Sequence, residues 1–400
     1  MSLDQALALA RQGRGQAEAD LLDYLAIPSI SALPEHAGDC RRAAGWIEGR
    51  LRAAGLETRL EQVHPEGKPV VVGEWRGRPG APTLTIYGHY DVQPADPLEE
   101  WLTPPFEPTV QDGFVYARGA DDNKGQHLAG VEAIACWVRA GGPPLNLRFL
   151  IEGEEEESGR SLPDLVRGDP ESYATEHLLL ADGAFTAPGR PNLLTGLRGL
   201  LYVEIEVTGP RVDLHSGLYG GVAPNPMNSL AHVLAGLKDR EGRVLVPGFY
   251  DAVTPPAPEE LAAWRSSPLD EAALLQAIGT AALAGEPGQG TLERLWARPT
   301  LDVHGIAGGF TGEGSKTVIP ARAVAKVSMR LVPGQTPEGV LAALHACVPG
   351  LATPGTIARV TELNSASPVL IDVTHAGIGA ASRAFEAAFG AAPLLQREGA

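Results

Sequence analysis

Four acidic clusters follow one another along the chain, and each stands where an apolar run or tight turn ends. They are YGHYD at Tyr87–Asp91, GADDNKG at Gly119–Gly125, EGEEEES at Glu152–Ser158 and LLLADG at Leu178–Gly183. The apolar runs Thr83–Tyr87, Leu145–Ile151 and Leu178–Ala181 are short enough for strands and stop at acid. Helical stretches separate them. Strands alternating with helices constrain this half of the chain to an α/β sheet with helices on both faces, and in such sheets ligands collect at strand ends. One His and several carboxylates gathered there are the raw material of a two-metal hydrolytic site.

The remaining elements follow the same logic. Leu3–Ala26 reads as a helix ended by Pro28. Asp39 is placed to cap a second helix through Ala54, with Gly55 at its C-terminal cap. Glu57–Val63 and Val70–Trp75 read as paired strands, and Lys124–Ala140 as a helix. The texture changes near Gly196. Leu200–Val207 alternates as a strand, a Gly/Pro/Asn-rich loop covers Gly217–Pro226, and a helix runs from Asn228 to about Leu237. Lys316–Leu331 is a strand region and Glu338–Ala346 a helix. This block reads as an α+β insert, with the chain rejoining the first domain as a helix near Pro368. Pro255–Arg265 and Gly285–Gly290 read as surface excursions.

With 400 residues there is chain for about two domains. A formal net charge of −17 argues against nucleic acid or an anionic membrane as the main partner. No apolar run reaches ~18 residues, and Met1–Asp20 carries no apolar signal core. Cys40, Cys136 and Cys347 form neither a metal-type spacing nor a disulfide framework. A reducing, cytoplasmic compartment is therefore expected, and any metal must be held by His and carboxylates.

Each cluster also has a plainer explanation. His89 and Asp91 are two apart on an extended segment, so both side chains point the same way. The Asp can hold one ring N–H and leave the other nitrogen for a metal. Asp121 and Asp122 open a helix, where one of them, Asp121 in preference, serves as cap or solvent residue. Glu154–Glu157 repel one another unless solvent or cations intervene. Asp182 alone is a turn residue. His215, in DLHSGLYGG, sits among glycines that shape the backbone around it. Arg330 ends a strand. His36, His64, His127, His177, His232, His304, His345 and His375 read as structural or solvent residues.

Taken together, YGHYDVQP, RGADDNKG, EGEEEESG, TGLRGL, DLHSGLYGG, GEGSKTVIP and SMRLVP, in this order over roughly Leu22–Gly399, resemble a family of dimeric co-catalytic zinc hydrolases. The family includes carnosine-type cytosolic dipeptidases, carboxypeptidase G, aminoacylase and succinyl-diaminopimelate desuccinylase. The dipeptidase branch is the most similar. The resemblance implies a zinc-exopeptidase-like mixed sheet sandwiched by helices, formed by residues 1–197 and 369–400. It implies an inserted α+β, ferredoxin-like dimerisation and lid domain at 198–368.

By the same resemblance two divalent ions, zinc before manganese or cobalt, are expected. His89 and Asp182 would hold one, Glu157 the other, and Asp122 would bridge them, with a cis peptide at Asp122–Asn123. Asp91 would orient His89. Glu156 would be the general base that takes a proton from the attacking water. Reading the glutamate run from its E-S-G edge gives Glu156 and Glu157 as base and ligand; reading from Glu152-Gly153 gives Glu155 and Glu156. His215 would reach across a homodimer to the oxyanion, Thr317 would contact substrate from the partner subunit, and Arg330 would grip the substrate's terminal carboxylate. The family's further His ligand lies beyond a Gly-Gly-Ser-Ile-Pro stretch that follows Arg-Glu-Gly. Here the sequence stops at Arg397-Glu398-Gly399-Ala400, so a truncated chain or a fragment is expected. The implied activity is hydrolysis of the amide bond of dipeptides or short peptides. An N-acyl-amino-acid deacylase and a non-catalytic dimeric binding protein are the alternatives.

Overall fold

The computed structural model describes residues 2–399 except 158, 184, 186–188 and 266–268. The chain divides into two compact units, Met1–Ala184 and Phe185–Ala400.

In the first unit a five-stranded sheet runs in the order Glu57–Glu61, Val70–Trp75, Asn146–Glu152, Thr83–His89, His177–Leu180. The first two junctions are antiparallel and the last two parallel. Side chains alternate between its faces. Val71, Ile86, Phe149 and Ile151 join a core with Ile47 and Leu51 of the Ala37–Ala53 helix and Leu128 and Val131 of the Lys124–Arg139 helix. Val70, Val72 and Leu150 face the other way, against Leu162, Leu165 and Val166 of the Ser161–Gly168 helix. The sheet is mixed and sandwiched, as expected. Its three parallel strands end at one edge, where His89 pairs with Glu152 and Tyr87 with Leu180. That edge carries the acidic clusters.

One expected cap is different. The second helix starts at Ala37, and Asp39 lies inside its first turn, accepting from the His36 ring (2.7 Å) and Arg42 (2.6 Å). An acid in the first turn still complements the helix dipole.

On the sheet, Glu74 accepts from Arg76 (2.8 Å), Arg148 (2.9 Å) and Arg59 (3.1 Å). Burial opposes its ionisation, but the three guanidinium groups prevail and hold its carboxyl at about 2 against an ordinary 4.5. A depressed carboxyl stabilises the fold fully above its unfolded value, and that contribution is lost as pH falls towards 2. Glu74→Gln is therefore expected to flatten the loss of thermal stability between about pH 4.5 and pH 2. Melting temperature against pH reads this, and an unchanged acid limb would refute it.

In the second unit Gly199–Thr208, Thr300–Gly308, Arg322–Leu331 and Ile357–Ala366 form an antiparallel sheet. Its spatial order is second, third, first, fourth. Helices Pro226–Leu237 and Pro337–Leu351 follow the first and third strands. This is the βαββαβ ferredoxin-like arrangement. Leu201, Val203, Ile205 and Val207 alternate into a core with Ala325, Val327, Leu230, Val233, Leu344 and Val348.

The same unit holds a three-stranded sheet of Val369–Leu370, Asn192–Leu197 and Leu394–Glu398, and a helix at Ala376–Phe389. The supposed surface excursion at Pro255–Arg265 includes a helix, Pro258–Arg265, that buries Glu260 and Trp264.

Candidate metal centre

His89 ends its strand fully buried. Its Nδ1 lies 3.0 Å from the Asp91 carbonyl oxygen and 3.4 Å from Asp91 Oδ1. Both are acceptors, so Nδ1 carries the proton and Nε2 is the free face of the ring. Asp91, also fully buried, accepts the Glu156 backbone N–H at 3.1 Å through its other oxygen. The i, i+2 geometry read from H-x-D is thus present, with the main chain of Asp91 sharing the task.

His89 Nε2 has Asp122 Oδ1 at 3.0 Å and Asp182 Oδ2 at 3.7 Å. Neither is in hydrogen-bonding alignment, and Nε2 is a buried nitrogen without a hydrogen-bond partner. Two ligands about 2.0–2.2 Å from one tetrahedral ion stand about 3.4 Å apart, and the two observed distances straddle that value. Burial opposes a charge on the imidazole, yet Asp122 and Asp91 push it up to about 11. The carboxylates around Nε2 thus favour positive charge at this end of the ring, whether a proton or a cation supplies it. His89, Asp122 and Asp182 form one group able to hold an ion; His89, Glu155 and Glu156 form a second, its ligand atoms all within 4.8 Å of one another. A borderline nitrogen with carboxylate oxygens suits zinc, manganese or cobalt. The residues fit a divalent ion.

The peptide Asp122–Asn123 is cis. Asp121 stays exposed and accepts from the Gln126 amide at 3.0 Å.

The glutamate run divides its labour residue by residue. Glu154 is buried and accepts the backbone N–H groups of Lys68 (2.7 Å), Arg160 (3.1 Å) and Ser161 (3.0 Å), which pins the loop. Glu155–Glu157 form one 3₁₀ turn, so successive side chains leave it at about 120°. Glu155 and Glu156 reach the His89 group. Glu157 leaves in another direction and pairs with the Lys68 ammonium, which also donates to Ser31 O at 3.0 Å. Burial raises the carboxyl pKa of both Glu155 and Glu156. Burial also raises that of Asp182, whereas the His89 ring 3.0 Å away lowers that of Asp122.

His215, Thr317 and Arg330 lie in the second unit. His215 is exposed, pairs with Val318 across a two-residue ladder, and accepts the Gly217 N–H on Nδ1 at 2.9 Å. A neutral ring held so carries its proton on Nε2, as a donor. Thr317 is exposed next to this ladder, its carbonyl accepting from Ser216 N at 3.0 Å. Arg330, half-buried, is the last residue but one of its strand and lies between Thr300 and Leu200.

Residues that sequence reasoning passed over surround the His89 group. Asn123, Lys124, His127 and Tyr24 are all fully buried. Lys124 Nζ donates to the carbonyls of Ile27 (2.6 Å) and Tyr24 (3.2 Å). No signal in the sequence marked them, since their burial appears only in the fold.

The chain matches the family model described as Peptidase family M20/M25/M40 over residues 85–400. It is 33% identical over 334 residues to a Beta-Ala-His dipeptidase of Rattus norvegicus, covering 80% of this chain and 68% of that protein. It is 33% identical over 352 residues to a Cys-Gly metallodipeptidase of Schizosaccharomyces pombe, covering 85% and 74%. An M20 family metallo-carboxypeptidase from Sulfolobus solfataricus superimposes with a TM-score of 0.82 at 32% identity, covering 96% of this chain and 86% of that one.

Proposed function

The chain belongs to peptidase family M20/M25/M40, and from that premise we propose that it is a dinuclear metal-dependent dipeptidase. The carrying observation is the buried His89 Nε2, without a hydrogen-bond partner and faced by Asp122 and Asp182, on a ring that also groups with Glu155 and Glu156. His89, Asp122 and Asp182 would hold one ion, with Asp122 shared and Glu156 on the second. Divalent ions there would polarise the scissile carbonyl and lower the pKa of water. Glu155 takes the proton of the attacking water and passes it to the leaving amine. Its raised pKa suits that exchange. This follows the Glu155/Glu156 reading of the run, supported by the diversion of Glu157 to Lys68.

His215 offers its Nε2–H to the oxyanion and belongs to the partner subunit of a homodimer, with Thr317 beside it. Arg330 binds the free carboxylate of the substrate. Such a group is common to a dipeptide and to the carboxypeptidase substrates of the Sulfolobus relative. Residues 1–197 with 369–400 form the metal-binding domain and residues 198–368 the dimerisation and lid domain. The three cysteines are free, which agrees with a cytoplasmic setting; fractionation of the native cell would test it. No helix among the described residues is long and apolar enough to cross a membrane.

The test is metal analysis together with turnover of β-Ala-His, Cys-Gly and N-acyl amino acids. Expected are about two ions per chain, dipeptide hydrolysis lost on chelation, and its return with zinc, manganese or cobalt. Activity that survives complete chelation would sink the proposal. Faster turnover of N-acyl amino acids would make the protein a deacylase.

A further inference from the structure

Asn123 bridges two strands at the point where their ladder stops. Thr83–His89 and His177–Leu180 pair in parallel with Tyr87 opposite Leu180, and Ala181 N–H donates to Tyr87 O at 3.2 Å. In a parallel ladder the bonds are evenly spaced, so the next would run from His89 N–H to Ala181 O. It is not made directly. His89 N–H donates instead to Asn123 Oδ1 at 2.9 Å, and Asn123 Nδ2 donates to Ala181 O. The side-chain amide stands between the strands like an inserted peptide group. The residues it ties are His89 itself and the neighbour of Asp182. Asn123 also follows Asp122 directly, so one amide controls three ligand-bearing segments.

The polarity of this bridge is fixed. A backbone N–H only donates and a carbonyl only accepts, so the amide has one orientation. Asn123 Oδ1 also faces His127 Nδ1 at 3.0 Å, which must then be the protonated nitrogen. His127 Nε2 is left to accept from the Tyr24 hydroxyl at 3.2 Å. Tyr24 is itself held by Trp46, stacked at 4.4 Å. Gln126 Oε1 takes the second Nδ2 proton at 2.9 Å. All four bonds available to the amide are made. Packing is equally tight: a Cβ on Gly88 would lie 2.5 Å from His127 Cβ and 2.7 Å from Asn123 Oδ1.

We infer that Asn123, locked by His127 and Tyr24, is a positioning residue that holds the His89 and Asp182 strand ends apart at the spacing a metal ion needs. This rests on the metal-centre reading above. Partners of this kind typically change metal affinity about 10–100-fold.

The experiment titrates the metal-stripped chain with cobalt(II) against a competing chelator and records melting of the metal-free protein. His127→Leu removes the donor to Asn123 at nearly the volume of the imidazole, and the smaller His127→Asn restores an N–H near the Nδ1 position. Expected is a loss of about 10–100-fold in cobalt affinity for His127→Leu, largely recovered in His127→Asn even where its metal-free form melts no higher than that of His127→Leu. Wild-type affinity in His127→Leu, or equal losses in both variants, would overturn the inference and leave the metal centre standing. Should His127→Leu fail to fold, Tyr24→Phe reads the far end of the chain of bonds. There a several-fold loss supports the role, and unchanged affinity removes it. No cobalt binding by the wild-type chain would overturn the metal centre and this inference together.

Discussion

Glu155→Gln is expected to lower kcat about 10²–10⁴-fold with metal content and melting temperature unchanged. The amide keeps the size and shape of the carboxylate, but it turns one acceptor oxygen into a donor NH₂, loses the charge and cannot take a proton. Glu155 stands on a loop pinned from beneath by Glu154, so its removal does not release the backbone. Its neighbours give different outcomes. Glu156→Gln, at a ligand position, should lower metal content as well as rate. Glu157→Gln should change kcat by no more than a few-fold, because that carboxylate is committed to Lys68 away from His89. The register of the run is therefore decided by which single variant keeps its metals and loses its rate. If Glu156→Gln behaves so and Glu157→Gln loses metal, the reading from the E-S-G edge is the right one.

The same variant tests the two-subunit arrangement. His215→Ala alone should be nearly inactive through loss of an oxyanion donor, an effect of about 10²–10³-fold. A heterodimer of His215→Ala and Glu155→Gln chains contains one site with both groups intact. Partial recovery on mixing is expected; verified heterodimers without activity would place His215 outside the reaction.

In the sheet of the second unit the first strand was legible in the sequence and the two edge strands were not. Gly199–Thr208 buries every second residue, and its alternation is plain in LLYVEIEV. The two edge strands of its sheet, Thr300–Gly308 and Ile357–Ala366, bury one and two residues respectively. Without a buried face there is no period of two to read, and a bulge between Val303 and Gly305 breaks the first of them further. The site shows the same contrast. His89, Asp122 and Asp182 were legible because each acid follows an apolar strand or a glycine turn. The glutamate run was not, because four identical residues carry no internal register. Their assignment waits on a 3₁₀ turn that sends each carboxylate a different way. Asn123 was hidden for another reason. Its work is done through backbone groups of His89 and Ala181, and any residue types could supply those.

The largest stability effect lies in the second unit, at Arg397 and Glu260. The guanidinium meets the carboxylate with two bonds of 2.9 and 2.6 Å, and both side chains are at most 5% exposed. Arg397 also lies over the Trp264 ring at 5.5 Å, and the Trp264 indole N–H donates to Leu395 O at 3.1 Å. The pair thus fastens the Pro258–Arg265 helix to the Leu394–Glu398 strand. Taking two charges out of water is costly, so the pair as a whole adds little to stability. Removing one partner is a different matter, since it strands the other charge in an apolar setting. Glu260→Gln should destabilise this unit by about 3–5 kcal/mol. Glu260→Leu combined with Arg397→Met leaves no buried charge and should cost far less. Urea unfolding followed by tryptophan fluorescence distinguishes the two, because Trp264 reports from inside the contact. A single variant that unfolds at the wild-type urea concentration, or a double variant as weak as the single, would show that the pair is not what joins these elements.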